Sequence, residues 1–304
     1  MVSSMRGMKF GKGIKNLFKV LISLVCIWYI SYKIDFRQLS GILARTQYIW
    51  MVFAVLSFLF SKLLASFRLN IYFRNIHIHL SEWKNIKLYL LGMFYNLFLP
   101  GSISGDGYKV IRLTKEYGVP YKKTAAAVLL DRLSGLIALV LLLAICWITV
   151  FGAFPNGVWA MAGAVGLIAL FYMVTKWVFP SFVDSFWSTF IFGMAVQVLQ
   201  VASMYCVLRA LHIELHLVEY ILIFLASSVV AVLPFTIGGL GARELIFLWG
   251  ANVFGFDSTV SVTASALFYL TTVISSSFGL YFIFSDPLKS SGPKSGEIQY
   301  ATEN

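Results

Sequence analysis

Asp131 and Arg132 stand side by side inside an apolar run, Val128-Leu129-Leu130-Asp131-Arg132-Leu133-Ser134-Gly135-Leu136. Arg243 and Glu244 do the same between the apolar stretches 221–233 and 245–249. Charges at such depth in a membrane segment are costly, and they mark substrate paths, proton relays or locks between helices. An arginine fork fits a phosphate bidentately, and a neighbouring carboxylate can orient it or carry a proton. Arg132 and Arg243 therefore read as candidate ligands for a lipid phosphate, with Asp131 and Glu244 as orienting or proton-coupling groups. An ion pair that only locks two helices is the structural alternative at both places.

A third polar group surrounds a break in the apolar pattern. Asn96, Asp106, Lys109 and Arg112 flank Leu99-Pro100-Gly101-Ser102-Ile103-Ser104-Gly105-Asp106-Gly107. The same sentence returns as Leu233-Pro234-Phe235-Thr236-Ile237-Gly238-Gly239-Leu240-Gly241. Leu, Pro, Ile and the last two glycines are identical, and a small hydroxyl residue holds the fourth place. Proline removes a backbone donor and glycine permits tight backbone, so Pro100, Gly101, Gly105 and Gly107, and Pro234, Gly238, Gly239 and Gly241, should break two helices. Irregular backbone at membrane depth survives only when it is buried in protein or lines a wet cavity. Freed N–H groups at a half-helix N-terminus suit an anion such as phosphate. Asn96 and Lys109 join Arg132 and Arg243 as headgroup candidates, and Asp106 joins the orienting groups. Broken apolar segments at matching points of two halves are a pointer to a transporter binding site.

Other polar residues read more blandly. Arg68, Asn70 and Arg74 lie at the end of an apolar run, where snorkelling to the interface is the ordinary reading. His212 and His216 are four apart with Glu219 beyond, but no His-Glu-x-x-His occurs, so no metal is expected. Cys26, Cys146 and Cys206 all fall in apolar runs and read as small buried hydrophobes. There is no Walker A sequence, dinucleotide glycine fingerprint or Gly-x-Ser-x-Gly, so no cofactor is expected and ATP-driven work by this chain alone is disfavoured.

The elements that must position these groups follow from hydropathy. Of 304 residues, 59% are hydrophobic and 12% charged, against about 25% charged in a soluble domain. A bilayer core needs about 20 mostly apolar residues per helix. Six runs qualify, at about 14–32, 48–66, 125–151, 158–179, 186–208 and 259–284. Two shorter ones, about 86–99 and 218–233, each run into a copy of the repeat. The net charge of +11 fits the positive-inside bias, and the bases form no separate basic domain, so no nucleic-acid partner is expected. Bases before the first run resemble a signal peptide start, but no small-x-small site follows, so an uncleaved first span is expected. With the N-terminus inside, a full crossing by 86–99 would put Lys109, Arg112, Lys115, Lys122 and Lys123 outside. A re-entrant segment keeps them inside, as the rule prefers. Three crossings then separate the two breaks, which makes the repeats inverted.

Asn96-x-x-Leu99-Pro100, Gly105-Asp106-x-x-Lys109, Leu130-Asp131-Arg132-x-x-Gly135-Leu136 and Leu233-Pro234-x-x-x-Gly238-Gly239-x-Gly241-x-Arg243-Glu244 occur in this order. The set resembles the flippase-like transmembrane family named for the membrane part of lysylphosphatidylglycerol synthases, over about residues 10–285. In full-length members the resemblance implies a cytosolic aminoacyl-transferase domain that makes lysyl-lipid and a membrane part that moves it. This chain resembles the mover alone. One departure is visible: the family's first motif commonly reads Gly-Gly-Asp-x-x-Arg, and here it is Ser104-Gly105-Asp106-Gly107-Tyr108-Lys109. Lysine keeps the charge and loses the bidentate fork.

The expectation is an all-α polytopic membrane protein with about six transmembrane helices plus two re-entrant helical hairpins in an inverted repeat. A basic cytoplasmic N-terminus occupies 1–13, a flippase-like transmembrane domain 14–285, and a disordered cytoplasmic tail 286–304. Multi-pass insertion in a bacterial-type cell (inner) membrane, with both termini cytoplasmic, goes with it. The leading function is translocation of an anionic or phosphate-bearing lipid between leaflets. A membrane-embedded transferase, or an accessory subunit acting on lipid-linked substrates, is the alternative. The partners expected are a membrane phospholipid or lipid-linked substrate and a separate lipid-modifying enzyme.

Overall fold

The computed structural model describes residues 45–98, 103–154, 156–232, 241–284 and 287–288, and there it is helical without a strand. The helices are α1 (Tyr48–Arg74), α2 (Glu82–Phe98), α3 (Ser104–Tyr117), α4 (Tyr121–Phe151), α5 (Asn156–Val178), α6 (Phe186–Ala210), α7 (Leu217–Val232), α8 (Ala242–Phe254) and α9 (Ser258–Ser277). Short 3₁₀ turns, Pro180–Ser185 and Phe278–Ile283, extend α6 at its start and α9 at its end. Five segments are long and apolar enough to cross a membrane: α1, α4, α5, Pro180–Ala210 and Ser258–Ile283. They coincide with five of the six expected spans. The sixth, 14–32, lies outside the described residues, as do the terminal segments 1–13 and 289–304. The chain is an all-α polytopic membrane protein. Its α5 faces outward with Val158, Val165, Leu170 and Met173 exposed, as a helix solvated by lipid tails requires.

The order of elements repeats. A long helix, two short helices around a break, and another long helix occur as α1, α2, α3, α4 and again as α6, α7, α8, α9. The short helices sit where the apolar runs are too short to cross, and in each pair they pack against one another. Pro100, Gly101, Pro234, Gly238 and Gly239, within the two breaks, lie outside the described residues.

The counterpart helices α1 and α6 form the most extensive packing in the fold. Ser203 Oγ donates to Ala54 O at 2.8 Å, Tyr72 Oη donates to Thr189 Oγ1 at 2.9 Å, and Asn75 bonds Ser185. Partner numbers fall along α6 as they rise along α1, so the two run antiparallel. The short pairs are exchanged across this axis: α2 packs on α9, and α7 packs on α4.

The α1 helix runs two turns past its apolar stretch. Arg68 is 4% exposed and Asn70 fully buried, which corrects the snorkelling reading of both. Each has a polar partner that a sequence window cannot see. Asn70 Nδ2 donates to Leu80 O at 3.2 Å and Glu82 Oε1 at 2.8 Å. Arg68 pairs with Asp131 on α4. Only Arg74, on Glu82, is left at the exposed end.

Candidate functional site

Nearly every helix contributes to one cavity of about 320 Å³ between the two broken pairs. Lys62 and Arg68 come from α1, Tyr89 and Asn96 from α2, Asp106 and Lys109 from α3, and Asp131 and Arg132 from α4. The second half adds Gln197 and Gln200 of α6, Ser228 of α7, Arg243 of α8, and Thr272 and Ser276 of α9. Among the described helices α5 alone takes no part.

Close backbone contact shapes the first broken pair. A Cβ on Gly105 would collide with the backbone carbonyl of Gly92, so α2 and α3 touch main chain to main chain. A Cβ on Gly92 would meet the Lys109 side chain. The α3 N-terminus has no cap from its own flank, and Asn96 of α2 supplies one: Gly105 N donates to Asn96 Oδ1 at 2.8 Å. Asn96 Nδ2 also reaches Asp106 Oδ1 at 3.4 Å. Gly107 has open space where a Cβ would stand.

Asp106 is the hub of this wall. Lys109 Nζ donates to its Oδ1 at 3.1 Å, and Arg132 Nε donates to its Oδ2. Lys109 is buried and lies 4.5 Å from the Tyr89 ring centroid. Asp131 takes a different partner, accepting from Arg68 Nε at 2.7 Å. Adjacent residues on a helix do not face each other, so Asp131 and Arg132 tie α4 to α1 and α3 respectively and do not pair together. The Arg68 guanidinium fills a slot cut by two glycines: a Cβ at Gly135 would lie 3.0 Å from Nη1, and one at Gly193 3.3 Å.

Arg243 and Glu244 diverge in the same way. Gly241 N donates to Glu244 Oε2 at 2.6 Å, capping α8, and Ser265 Oγ lies 3.4 Å from Oε1. Gly241 has a φ of 84°, a left-handed conformation that favours glycine. Arg243 lines the cavity and rests on Phe268 and Phe224, 5.0 and 5.8 Å from the ring centroids.

The fold thus gathers Asn96, Asp106, Lys109, Asp131, Arg132 and Arg243 around one space, while Glu244 caps a helix beside it. Two lining bases escaped the sequence reading, Lys62 and Arg68. The spacing Phe58, Lys62, Ala65, Arg68 held the signal, since it puts all four on one helix face. Among the described residues five bases and two carboxylates line the cavity. Among the described residues no group of three His, Cys, Asp or Glu is placed to hold a metal ion. His216 instead meets Glu219 at 3.2 Å, and His212 meets Gln47 at 3.4 Å.

Fold and site together define a multi-pass membrane protein with a basic cavity between two broken helix pairs. The family model described as lysylphosphatidylglycerol synthase TM region matches residues 16–185 and 180–278. The chain belongs to that family, which ties it to lipid metabolism or translocation. No curated protein matches it.

Proposed function

We propose that this protein moves an anionic, phosphate-bearing lipid between the leaflets of a bacterial-type cell (inner) membrane. The observation that carries the reading is the cavity itself, lined by both repeats and holding five bases against two carboxylates. Such an excess attracts a negative headgroup into a cleft whose low-dielectric walls focus the field. Arg132, Lys109 and Arg243 engage the headgroup, Asn96 fixes the hairpin that presents them, and Asp106 and Asp131 orient the bases. Glu244 holds the start of α8, and with it the placement of Arg243.

Alternating access needs two gates related by symmetry. Antiparallel counterparts α1 and α6, with the broken pairs exchanged between halves, support an inverted repeat in which each re-entrant hairpin gates one face. The three long helices between the breaks support a reading in which the hairpins open to opposite faces and both termini are cytoplasmic. A separate lipid-modifying enzyme supplies the cargo.

Proteoliposomes containing the purified protein and head-labelled phosphatidylglycerol provide the test. A membrane-impermeant quencher should reach more than the outer-leaflet share of label, and the lipid's mass should be unchanged. Arg132→Ala and Arg243→Ala, inserted normally, should each slow this transfer. New lipid species by mass spectrometry without leaflet transfer would overturn the reading in favour of an embedded transferase.

A further inference from the structure

The positive charge on the cavity wall divides into two parts. Arg68, Lys109 and Arg132 share Asp131 and Asp106 through ion pairs. Lys62 and Arg243 share nothing of the kind: among the described residues neither has a carboxylate within ion-pair distance or a hydrogen-bond acceptor. They rest on a cluster of three phenylalanine rings. Lys62 Nζ is 4.4 Å from the Phe58 centroid, and Arg243 lies over Phe268 and Phe224. The rings touch one another, Phe58 to Phe268 at 5.7 Å and Phe224 to Phe268 at 4.6 Å. Ring faces steady a cation but do not neutralise it.

Among the described residues, two further donors in residues that line the cavity have no acceptor. Arg68 Nη1 and Ser228 Oγ are buried without a hydrogen-bond partner, in residues 4% and 6% exposed. A buried donor left unsatisfied is unfavourable, and native proteins rarely tolerate it without a reason. Lys62 belongs to α1, Ser228 to α7 and Arg243 to α8, so the groups without a partner come from both halves.

We propose that Lys62 and Arg243, with Ser228 beside them, form a second anion subsite beside the Asp106–Lys109–Arg132 cluster, so that the cavity selects a phosphate group with at least two negative charges. A phosphomonoester or diphosphate meets that condition. A phosphodiester such as phosphatidylglycerol meets it by half. A lysyl-bearing headgroup, with two ammonium groups, is repelled, although the family takes its name from such a lipid. The inference rests on the cavity being the headgroup site. Its volume, about 320 Å³, is near the lower end of small-molecule sites, about 300–1,000 Å³, and suits a compact headgroup whose chains stay in lipid.

The test is binding of short-chain phosphatidic acid, short-chain phosphatidylglycerol, short-chain lysylphosphatidylglycerol and inorganic phosphate to the full chain in detergent. Phosphatidic acid should bind about tenfold or more tighter than phosphatidylglycerol, the scale of one added charge-assisted hydrogen bond. The lysyl lipid should not compete. Lys62→Gln and Arg243→Gln should each weaken phosphatidic acid more than phosphatidylglycerol, bringing the two within about twofold. Ligand-free Lys62→Met should melt at no lower temperature than the wild type, because it removes a charge that has no partner. A marked loss of stability would mark Lys62 as structural and overturn the subsite. Equal binding of phosphatidic acid and phosphatidylglycerol, with both still moved between leaflets, would overturn the second subsite and leave translocation standing. Inorganic phosphate binding as tightly as phosphatidic acid, and losing it in Lys62→Gln, would support the subsite, name free phosphate as its ligand and count against lipid transport.

Discussion

Replacing Asp131 with asparagine should damage the fold more than any other isosteric change in the cavity. The Arg68 and Asp131 side chains are 5% and 9% exposed, with Nε and Oδ1 2.7 Å apart. Removing one partner of a buried pair costs about 3–5 kcal/mol, because the other charge is left uncompensated. Arg68 has little freedom to find another carboxylate, since Gly135 and Gly193 enclose Nη1 on two sides. The cavity wall is polar, which places the expected loss at the lower end, about 3 kcal/mol. Replacing both residues by apolar ones of similar volume is close to neutral in such pairs. The double variant Arg68→Met with Asp131→Leu should therefore be more stable than either Arg68→Met or Asp131→Leu alone. Melting of detergent-solubilised protein, read by size-exclusion chromatography after heating, gives the order of the four proteins. A double-mutant cycle gives the coupling, expected at about 2–3 kcal/mol, within the range for residues in contact. Losses that simply add, or Asp131→Asn as stable as the wild type, would refute the pairing as the tie between α1 and α4.

Gly105→Ala should prevent the first hairpin from closing and abolish lipid transfer, since its Cβ meets main chain, while Gly92→Ala should be milder because the flexible Lys109 side chain can give way; proteoliposome assays of both check the order. Asn96→Ala should lower stability by about 1–3 kcal/mol, the cost of leaving a backbone donor without its acceptor, as read by melting temperature. Glu244→Ala should cost about 1 kcal/mol, the scale of a lost helix cap, and Glu244→Asp should recover only part, the shorter side chain reaching Gly241 N poorly. Cysteines at positions 122 and 123 should react with an impermeant maleimide only from the cytoplasmic side, and labelling from outside would overturn the re-entrant first pair.

The long helices were legible because hydropathy over a span is a local property. The breaks were legible because proline and glycine act on the backbone where they stand. The wiring between charges was not. The neighbours Asp131 and Arg132 look like a pair in sequence, yet helical geometry turns them toward different partners. Arg68 finds Asp131 63 residues away, a distance that no window of apolar residues spans. Lys62 gives no signal of its own in the sequence, because the apolar count around it conceals which helix face it occupies. The close passage of α2 over α3 was equally hidden, since glycine announces a break more readily than a point of contact.

The exchange of short pairs between halves also sets an order of assembly. The first pair is synthesised early, but one of the surfaces it packs on belongs to α9, the last long helix of the described chain. Until α9 is in place, α2 and α3 carry buried charges with their seat unfinished. Membrane insertion proceeds from the N-terminus, so the cavity can close only once α9 has been made. A chain stopped between α4 and α5 holds the Arg68–Asp131 and Arg132–Asp106 pairs but neither Arg243 nor the floor beneath the first hairpin. The two halves are therefore neither separable domains nor successive ones: each is completed by the other.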